Sequence, residues 1–200
     1  MSRSTESPRR LRLDTDDRRQ QIVVAAQSLF SQRPYDAVST GEIAAAAGTT
    51  RTNILYHFST KRDLFLEIVG PFTHVPEEVA PMALTNSVED RVSSILLHWL
   101  EAVERNRDTF MTILNAASST DPQVSGVLQH SMVSWERRLL RIVGMERSSP
   151  AHRAMMQSFQ AMVAASTSAW LSEGTLNRDE VHSMLTACLV ALGESQRSHS

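Results

Sequence analysis

The sequence predicts an all-α fold, and three observations support this prediction. Glycine and proline, the residues that most often interrupt helices, occur only seven times each in 200 residues. Strict alternation of apolar and polar residues, which is typical of half-buried strands, is rare along the chain. Apolar residues instead recur three and four positions apart, as they do on one face of a helix. With 42% apolar and 21% charged residues, the composition is that of a soluble globular protein.

The first helix is predicted to begin at Asp16, after a disordered N-terminal arm over residues 1–15. The arm is rich in Ser and Arg and has few large apolar side chains. From Ile22 to Phe30 the apolar residues form one helical stripe, and Pro34 then ends the helix.

The next two helices are short and are joined by a glycine turn. Ser39, followed three residues later by Glu42, forms a capping box that opens an alanine-rich helix at about residue 40. Gly48 suits the left-handed position that ends this helix, and Thr49 or Thr50 provides the N-cap of the next one. Two short helices joined in this way are the sequence form of a helix-turn-helix.

The second of these helices is predicted to display hydrogen-bonding side chains rather than bury them. Its polar residues are Arg51, Thr52, Asn53 and Tyr56. Ile54, with Leu55 as a further candidate, supplies the face that packs. A recognition helix needs exposed donors and acceptors for base edges and phosphates, which this pattern provides. A polar surface helix in a scaffolding unit would show the same pattern, and that alternative stays open at this point.

A fourth helix is predicted to begin at the segment STKRD, residues 59–63, with Ser59 or Thr60 as its cap. Its apolar face is formed by Leu64, Phe65 and Ile68, and Pro71 ends or kinks it. The helix-turn-helix domain is therefore predicted over residues 16–70.

The segment YDAVSTGEIAAAAGTTRTNILYHFSTKRDLF resembles the N-terminal DNA-binding domain of the tetracycline-repressor (TetR) family of bacterial transcriptional regulators. The resemblance runs from about Arg18 to Ile68. Its most specific parts are Ile43-Ala44 and Ala47-Gly48, then Tyr56-His57-Phe58, then Lys61 with Leu64-Phe65. The chain departs from the family pattern at Leu55, where a tyrosine is common, and at Thr49, where a branched apolar residue is common.

The resemblance implies DNA contacts along this segment. Thr40 and Lys61, each at the start of a helix, would bond phosphates. Tyr56 and His57 would brace the DNA backbone, while the residues around Arg51 would lie in or beside the major groove. Arg51 is the expected base contact, because a guanidinium can bridge both acceptors of guanine. The full set is Ser39, Thr40, Thr50, Arg51, Thr52, Asn53, Tyr56, His57 and Lys61.

The first seventy residues carry a small net positive charge, which is the sign expected of a module that meets a polyanion. Residues 1–70 carry ten Lys and Arg against eight Asp and Glu, whereas the remainder carries ten against fourteen. Three arginines of the arm, Arg9, Arg10 and Arg12, either reach a minor groove or are simply solvated, and solvation is the favoured interpretation.

Five further helices are predicted over residues 71–200, which gives about nine in total. Their approximate bounds are 87–105, 107–118, 122–143, 150–172 and 177–192. By resemblance, this helical domain binds a small effector and forms a homodimer. The last two helices, which are rich in small apolar residues, are the expected dimer surface. Two recognition helices would then lie about 34–36 Å apart, or a multiple of this spacing, on a palindromic double-stranded operator.

Methionine and tryptophan are concentrated in this second domain. Eight of the nine methionines and all three tryptophans follow residue 70. Methionine adapts its shape to irregular cavities, so an apolar or aromatic effector is expected, although an ordinary core would show the same composition. The candidate ligand-binding residues are Trp99, Phe110, Met111, Leu114, Met132, Trp135, Met155, Met156 and Phe159.

The sequence argues against catalysis. The seven histidines are scattered without metal-ligand spacing, Cys188 has no histidine at helical spacing, and no glycine-rich phosphate loop occurs. We therefore expect no catalytic residue, no metal and no cofactor. The N-terminus lacks the apolar segment of a secretory signal, and no stretch is long and apolar enough to span a membrane, so a cytoplasmic location without membrane contact is expected.

Two functions remain at this point. The first is a ligand-responsive, sequence-specific transcriptional regulator, a repressor in most members of the family. The alternative is a helix-turn-helix dimer that has lost specific DNA binding and acts as an interaction or sensor module.

Overall fold

The computed structural model describes residues 8–73, 87–144 and 149–197, and within them it confirms the all-α prediction. Nine α-helices and no strand occur in these ranges. The helices are α1 Pro8–Phe30, α2 Thr40–Ala46, α3 Arg51–His57, α4 Lys61–Thr73, α5 Val88–Arg105, α6 Arg107–Ala116, α7 Pro122–Ile142, α8 Pro150–Ser168 and α9 Arg178–Arg197.

Helix α1 begins earlier than the sequence indicated. It starts at Pro8, so the expectation of disorder is wrong for residues 8–15, which continue the helix toward the N-terminus. Proline is well tolerated in the first turn of a helix, where its missing N–H has no partner to lose. The rest of the expected arm, and the side chains of Arg9, Arg10 and Arg12, lie outside the described part of the chain.

The chain divides into two compact units that do not follow the expected boundary at residue 70. The first unit contains the described residues up to Thr73 together with Asp108–Leu128. The second contains the remaining described residues. Most of α6 and the first turns of α7 therefore belong to the same unit as the helix-turn-helix.

The first unit has one apolar core to which every one of its helices contributes. Phe30, Tyr35 and Phe65 form its aromatic centre, with ring centroids 5.0–5.7 Å apart. Ala116 of α6 and Val124 of α7 are fully buried in the same core. Phe65 meets the other two rings edge to face, and such contacts stabilise a core beyond the area that they bury.

Polar contacts also fasten residues 109–121 to the N-terminal helices. The side chain of Asn115 donates to the carbonyl oxygens of Phe30 (3.1 Å) and Ser31 (2.9 Å), which are unpaired at the end of α1. The carboxylate of Asp36 accepts a hydrogen bond from the backbone N–H of Thr120 at 2.8 Å. These bonds join residues more than 80 positions apart in the sequence.

The second unit is built around α5 and α9, which pack along one another, with α8 against α9. Its helices begin at strong caps. The hydroxyls of Ser87 and Ser149 each accept a hydrogen bond from the backbone N–H three residues later, that of Asp90 and of His152. In turn, the side chains of Asp90 and His152 accept the backbone N–H of Ser87 and Ser149, which completes a capping box at each helix. The core of this unit contains Val92, Leu96, Leu100, Met156, Phe159, Val181, Leu185 and Leu189.

Helix α8 ends differently from the expected continuous helix to residue 172. After Ser168 the chain widens into a π-helical turn, Ala169–Glu173, and Gly174 then ends it with φ +65°. The guanidinium of Arg107 donates to the carbonyl oxygen of Leu171 within this turn. A carbonyl that the wider helical turn would leave without a partner is thereby bonded.

Candidate nucleic-acid interface

Helix α3 is a short helix that buries one side and exposes the other. Ile54 is fully buried, and it fixes the helix to the core of the first unit. Arg51 and Thr52 are exposed, and Tyr56 is 77% exposed. Leu55 is also exposed, at 46%, so the expectation that it helps to pack the helix is wrong.

The turn before α3 is fixed by backbone hydrogen bonds that only a left-handed residue allows. Gly48 has φ +58°, its N–H donates to the carbonyl of Ala45 (3.2 Å), and the N–H of Thr49 donates to the carbonyl of Ala44 (2.9 Å). This pair of bonds is the Schellman motif that ends α2. The direction in which the chain enters α3 is set by this motif.

The start of α3 is held by its own side chains. The hydroxyl of Thr50 accepts the backbone N–H of Asn53 at 3.2 Å, which confirms Thr50 as the N-cap. The side-chain amide of Asn53 donates to the hydroxyl of Thr49 at 2.8 Å. Asn53 is half-buried, so its amide braces the turn, while Arg51 and Thr52 project outward.

Helix α2 starts with the expected capping box, and a cation reinforces it. The hydroxyl of Ser39 accepts the N–H of Glu42, and the carboxylate of Glu42 accepts the N–H of Ser39. The guanidinium of Arg33 donates to the same carboxylate at 2.6 Å and also to the carbonyl of Ala37. The Arg33 hydrogen bond, with help from Ser39, lowers the pKa of Glu42 to about 2. The hydroxyl of Ser39 therefore acts mainly within the protein.

Lys61, at the start of α4, bonds to the protein itself. Its ammonium donates to the carbonyl oxygens of Tyr35 (3.0 Å) and Val38 (2.9 Å), and it lies 4.0 Å from the centre of the Tyr35 ring. Burial lowers the pKa of Lys61 and raises the pKa of Tyr35 to about 12. An ammonium has three donors, and these contacts occupy two of them. No local pattern around Lys61 indicates this internal role.

The nine residues expected to contact DNA thus fall into distinct groups. Arg51, Thr52 and Tyr56 are exposed on α3. His57 is half-buried and meets the Tyr56 ring edge to face, at 5.2 Å, and Thr40 is also half-buried. The other four, Ser39, Thr50, Asn53 and Lys61, make the internal hydrogen bonds described above.

Helix α4 carries a charge pair that sequence reasoning missed. The guanidinium of Arg62 donates to both carboxylate oxygens of Asp121 at 2.9–3.0 Å, and it lowers the pKa of that carboxyl. Asp121 also caps α7, because it accepts the N–H of Gln123 at 3.0 Å. The first turn of α4, which follows α3 in the chain, is therefore bonded to the N-cap residue of α7.

The candidate effector residues are divided between the two units. Phe110, Met111 and Leu114 lie in the first unit, and the other six lie in the second. Met156 and Phe159 are buried in the core of the second unit, while Met132 is exposed. The second unit also has an open cavity of about 890 Å³ that none of these nine residues lines. It is bordered by Glu104, Trp170, Asn177, Arg178, Asp179, Glu180, Ser183 and Met184.

Comparison with known proteins agrees with this arrangement. The family model described as "Bacterial regulatory proteins, tetR family" matches residues 22–68, which contain α2, α3 and nearly all of the core contributed by α1 and α4. Residues 22–68 therefore match the N-terminal domain of the TetR family. The resemblance inferred from the sequence is confirmed.

Proteins of known function that resemble this chain are transcriptional regulators. This chain is 26% identical over 149 residues to the transcriptional activator FasR of Mycolicibacterium smegmatis. The aligned region covers 72% of this chain and 67% of FasR. It is 47% identical over 60 residues to the transcriptional regulator AcrR of Shigella flexneri, which covers 30% of this chain but only 28% of AcrR.

Solved structures share its fold at low sequence identity. A tetR-family transcriptional regulator from Streptomyces coelicolor superposes with a TM-score of 0.63 at 19% identity, over 90% of this chain and 83% of the other. FadR of Thermus thermophilus, a TetR-family transcriptional repressor in complex with lauroyl-CoA, superposes with a TM-score of 0.54 at 18% identity, over 86% and 93%. None of the helices in the described ranges has the length and apolar character needed to cross a membrane.

Proposed function

We propose that this TetR-family protein is a ligand-responsive, sequence-specific repressor that leaves a palindromic operator when a small, largely apolar effector binds. The observation that carries the proposal is the outer face of α3, where Arg51, Thr52 and Tyr56 are exposed on a helix capped at its start and anchored by Ile54. A helix held in this way keeps its polar face available to a major groove. Such a regulator would act on DNA in the cytoplasm without a catalytic step.

Arg51 is the side chain that we expect to read a base. It is exposed, it stands in the first turn of α3, and a guanidinium can pair with both acceptors of guanine. Thr52 and Tyr56 are exposed on the same helix and can reach further base or phosphate groups. Lys61 retains one donor for a phosphate, and its two internal bonds hold it in place.

Dimerisation through α8 and α9 is supported by the small side chains on their exposed faces. Ala161 and Ala165 of α8 and Ala187 and Ala191 of α9 are exposed, so a second copy could approach these helices closely. Leu185 and Leu189 of α9 are buried in the core of the second unit and are not available to this surface. Light scattering should give a dimer for the parent protein and a monomer for Ala165→Arg, whereas a monomeric parent at micromolar concentration would contradict this part of the proposal.

A signal from the effector would reach the DNA-binding helices along α7. Helix α7 begins in the first unit and continues in the second. Its first turn is bonded to α4 through Asp121 and Arg62, directly after the recognition helix. Movement of the start of α7 would therefore shift α4 and the presentation of α3.

An apolar effector is supported by the aromatic and methionine content of the second unit and by the lauroyl-CoA that FadR of Thermus thermophilus binds. Tryptophan fluorescence titrated with fatty acyl and aromatic compounds should show saturable changes, because Trp99 and Trp170 pack against the core of this unit. Saturation by charged hydrophilic compounds alone would contradict the expected chemistry.

The test of DNA binding is selection of bound fragments from sheared genomic DNA of the source organism. The matched pair of variants is Arg51→Ala and Arg105→Ala, since Arg105 is an exposed arginine at the end of α5 in the second unit. We expect a shared palindromic sequence that the parent and Arg105→Ala both bind, and a loss of about 5–150-fold per half-site for Arg51→Ala. Weak, sequence-independent binding by all three proteins would favour an interaction or sensor module instead.

A further inference from the structure

One exposed side chain on α3 is apolar in the middle of the polar face. An α-helix advances about 100° per residue, which places Leu55 about 40° from Arg51 and about 60° from Thr52, between the two. Leu55 is 46% exposed, whereas Ile54 next to it is fully buried. Leu55 therefore stands among the side chains proposed to meet DNA and does not belong to the packing face.

We infer that Leu55 contacts the 5-methyl group of a thymine in the operator. This inference rests on the proposed function. The thymine methyl is the apolar group that base pairs present in the major groove, whereas the other groups at the base edges are hydrogen-bond donors and acceptors. A leucine cannot satisfy those donors and acceptors, and it would be expected to weaken binding wherever it covered one. Leu55 thus selects thymine where a tyrosine, common at this position in the family, would offer a hydroxyl.

The position of this thymine follows from the helix geometry. Arg51 and Leu55 are four residues apart, which is about 6 Å along the helix axis. Base pairs are spaced about 3.4 Å apart along DNA. The thymine that Leu55 contacts therefore lies within about two base pairs of the guanine that Arg51 reads.

The test replaces single thymines of the selected operator with deoxyuridine, which removes the methyl group and keeps every hydrogen-bonding group. Affinities are measured for the parent, Leu55→Ala and Val24→Ala, the last being truncation of an exposed apolar residue on α1. Alanine favours helix and the leucine side chain is exposed, so circular dichroism should show that Leu55→Ala is folded.

We expect one thymine in each half-site, near the Arg51 guanine, at which deoxyuridine weakens binding of the parent and of Val24→Ala by about 4-fold. Substitution in both half-sites should weaken binding by about 15-fold. Binding of Leu55→Ala should be the same to both DNAs, because its side chain no longer reaches the methyl group.

Two results would overturn the inference, and they are distinguishable. If specific binding depends on Arg51 but no thymine loses its effect in Leu55→Ala, the proposed function stands and Leu55 is a general backbone contact. If no specific fragment is selected by any of the proteins, the inference and the proposed function fail together.

Discussion

Replacement of Gly48 by alanine should destabilise the first unit through the backbone alone. Gly48 has φ +58°, and a Cβ placed there would meet no heavy atom within 4 Å, so no steric clash contributes. The cost is that of holding an L-residue with a Cβ in the left-handed region, about 1–2 kcal/mol. Gly126 provides the opposite case, because it lies inside α7, in the same unit, with equally open surroundings and no positive φ. Gly126→Ala should stabilise by about 1 kcal/mol, since alanine favours the helix interior.

Urea denaturation followed by far-ultraviolet circular dichroism measures both effects in one assay. The free energies of unfolding of Gly48→Ala and Gly126→Ala should differ by about 2–3 kcal/mol, with the parent between them. Gly48→Asn should lose less than Gly48→Ala, because asparagine adopts the left-handed conformation more readily. The reasoning is refuted if Gly48→Ala is as stable as the parent, or if Gly48→Asn is the less stable of the two Gly48 variants.

Three further results are expected. Glu42→Gln should lower the melting temperature at pH 7. Because folding lowers the pKa of Glu42 from 4.5 to about 2, the stabilisation by its ionised form is complete above about pH 4.5 and is lost as the pH falls to about 2, so the difference from the parent should close over this range. A difference that persists at pH 2 would contradict this. Ile54→Ala should lower the free energy of unfolding by about 2–5 kcal/mol in urea titration, since the side chain is fully buried, and a loss under 1 kcal/mol would be inconsistent with its burial. Asp121→Asn should destabilise the protein at low ionic strength and much less in 1 M salt, where screening weakens the lost ion pair; equal losses at both would argue against an ionic contribution.

The fold was predictable where the controlling interactions are local. Capping boxes, the glycine turn and the helical stripes act over three to eight residues, so the positions of α2, α3 and α4 followed from the sequence to within a residue or two. Helix α1 was the exception. The polar composition of residues 8–15 suggested disorder, yet the helix extends through them to Pro8.

The details of the candidate site depended on contacts that leave no local pattern. Lys61 bonds carbonyls 23 and 26 residues away, and Arg62 bonds Asp121 at a separation of 59 residues. Spacing alone therefore could not show that Lys61 has an internal role. The exposure of Leu55 was equally hidden, because Ile54 and Leu55 are adjacent on one turn and only the rotation of α3 against its core decides which is buried.

The first unit is assembled from two separate stretches of the chain, and this affects when it can fold during synthesis. Its core includes Ala116, Val124 and Leu128, and Asn115 bonds the end of α1. The 55 residues that follow Thr73 must emerge before this core is closed, which takes about 3–11 s at ribosomal rates. During that interval the nascent DNA-binding helices lack part of their apolar cover. A fusion protein that joined residues 1–73 to a different effector domain would lack these apolar contacts permanently. Such a fusion should therefore also include residues 108–128.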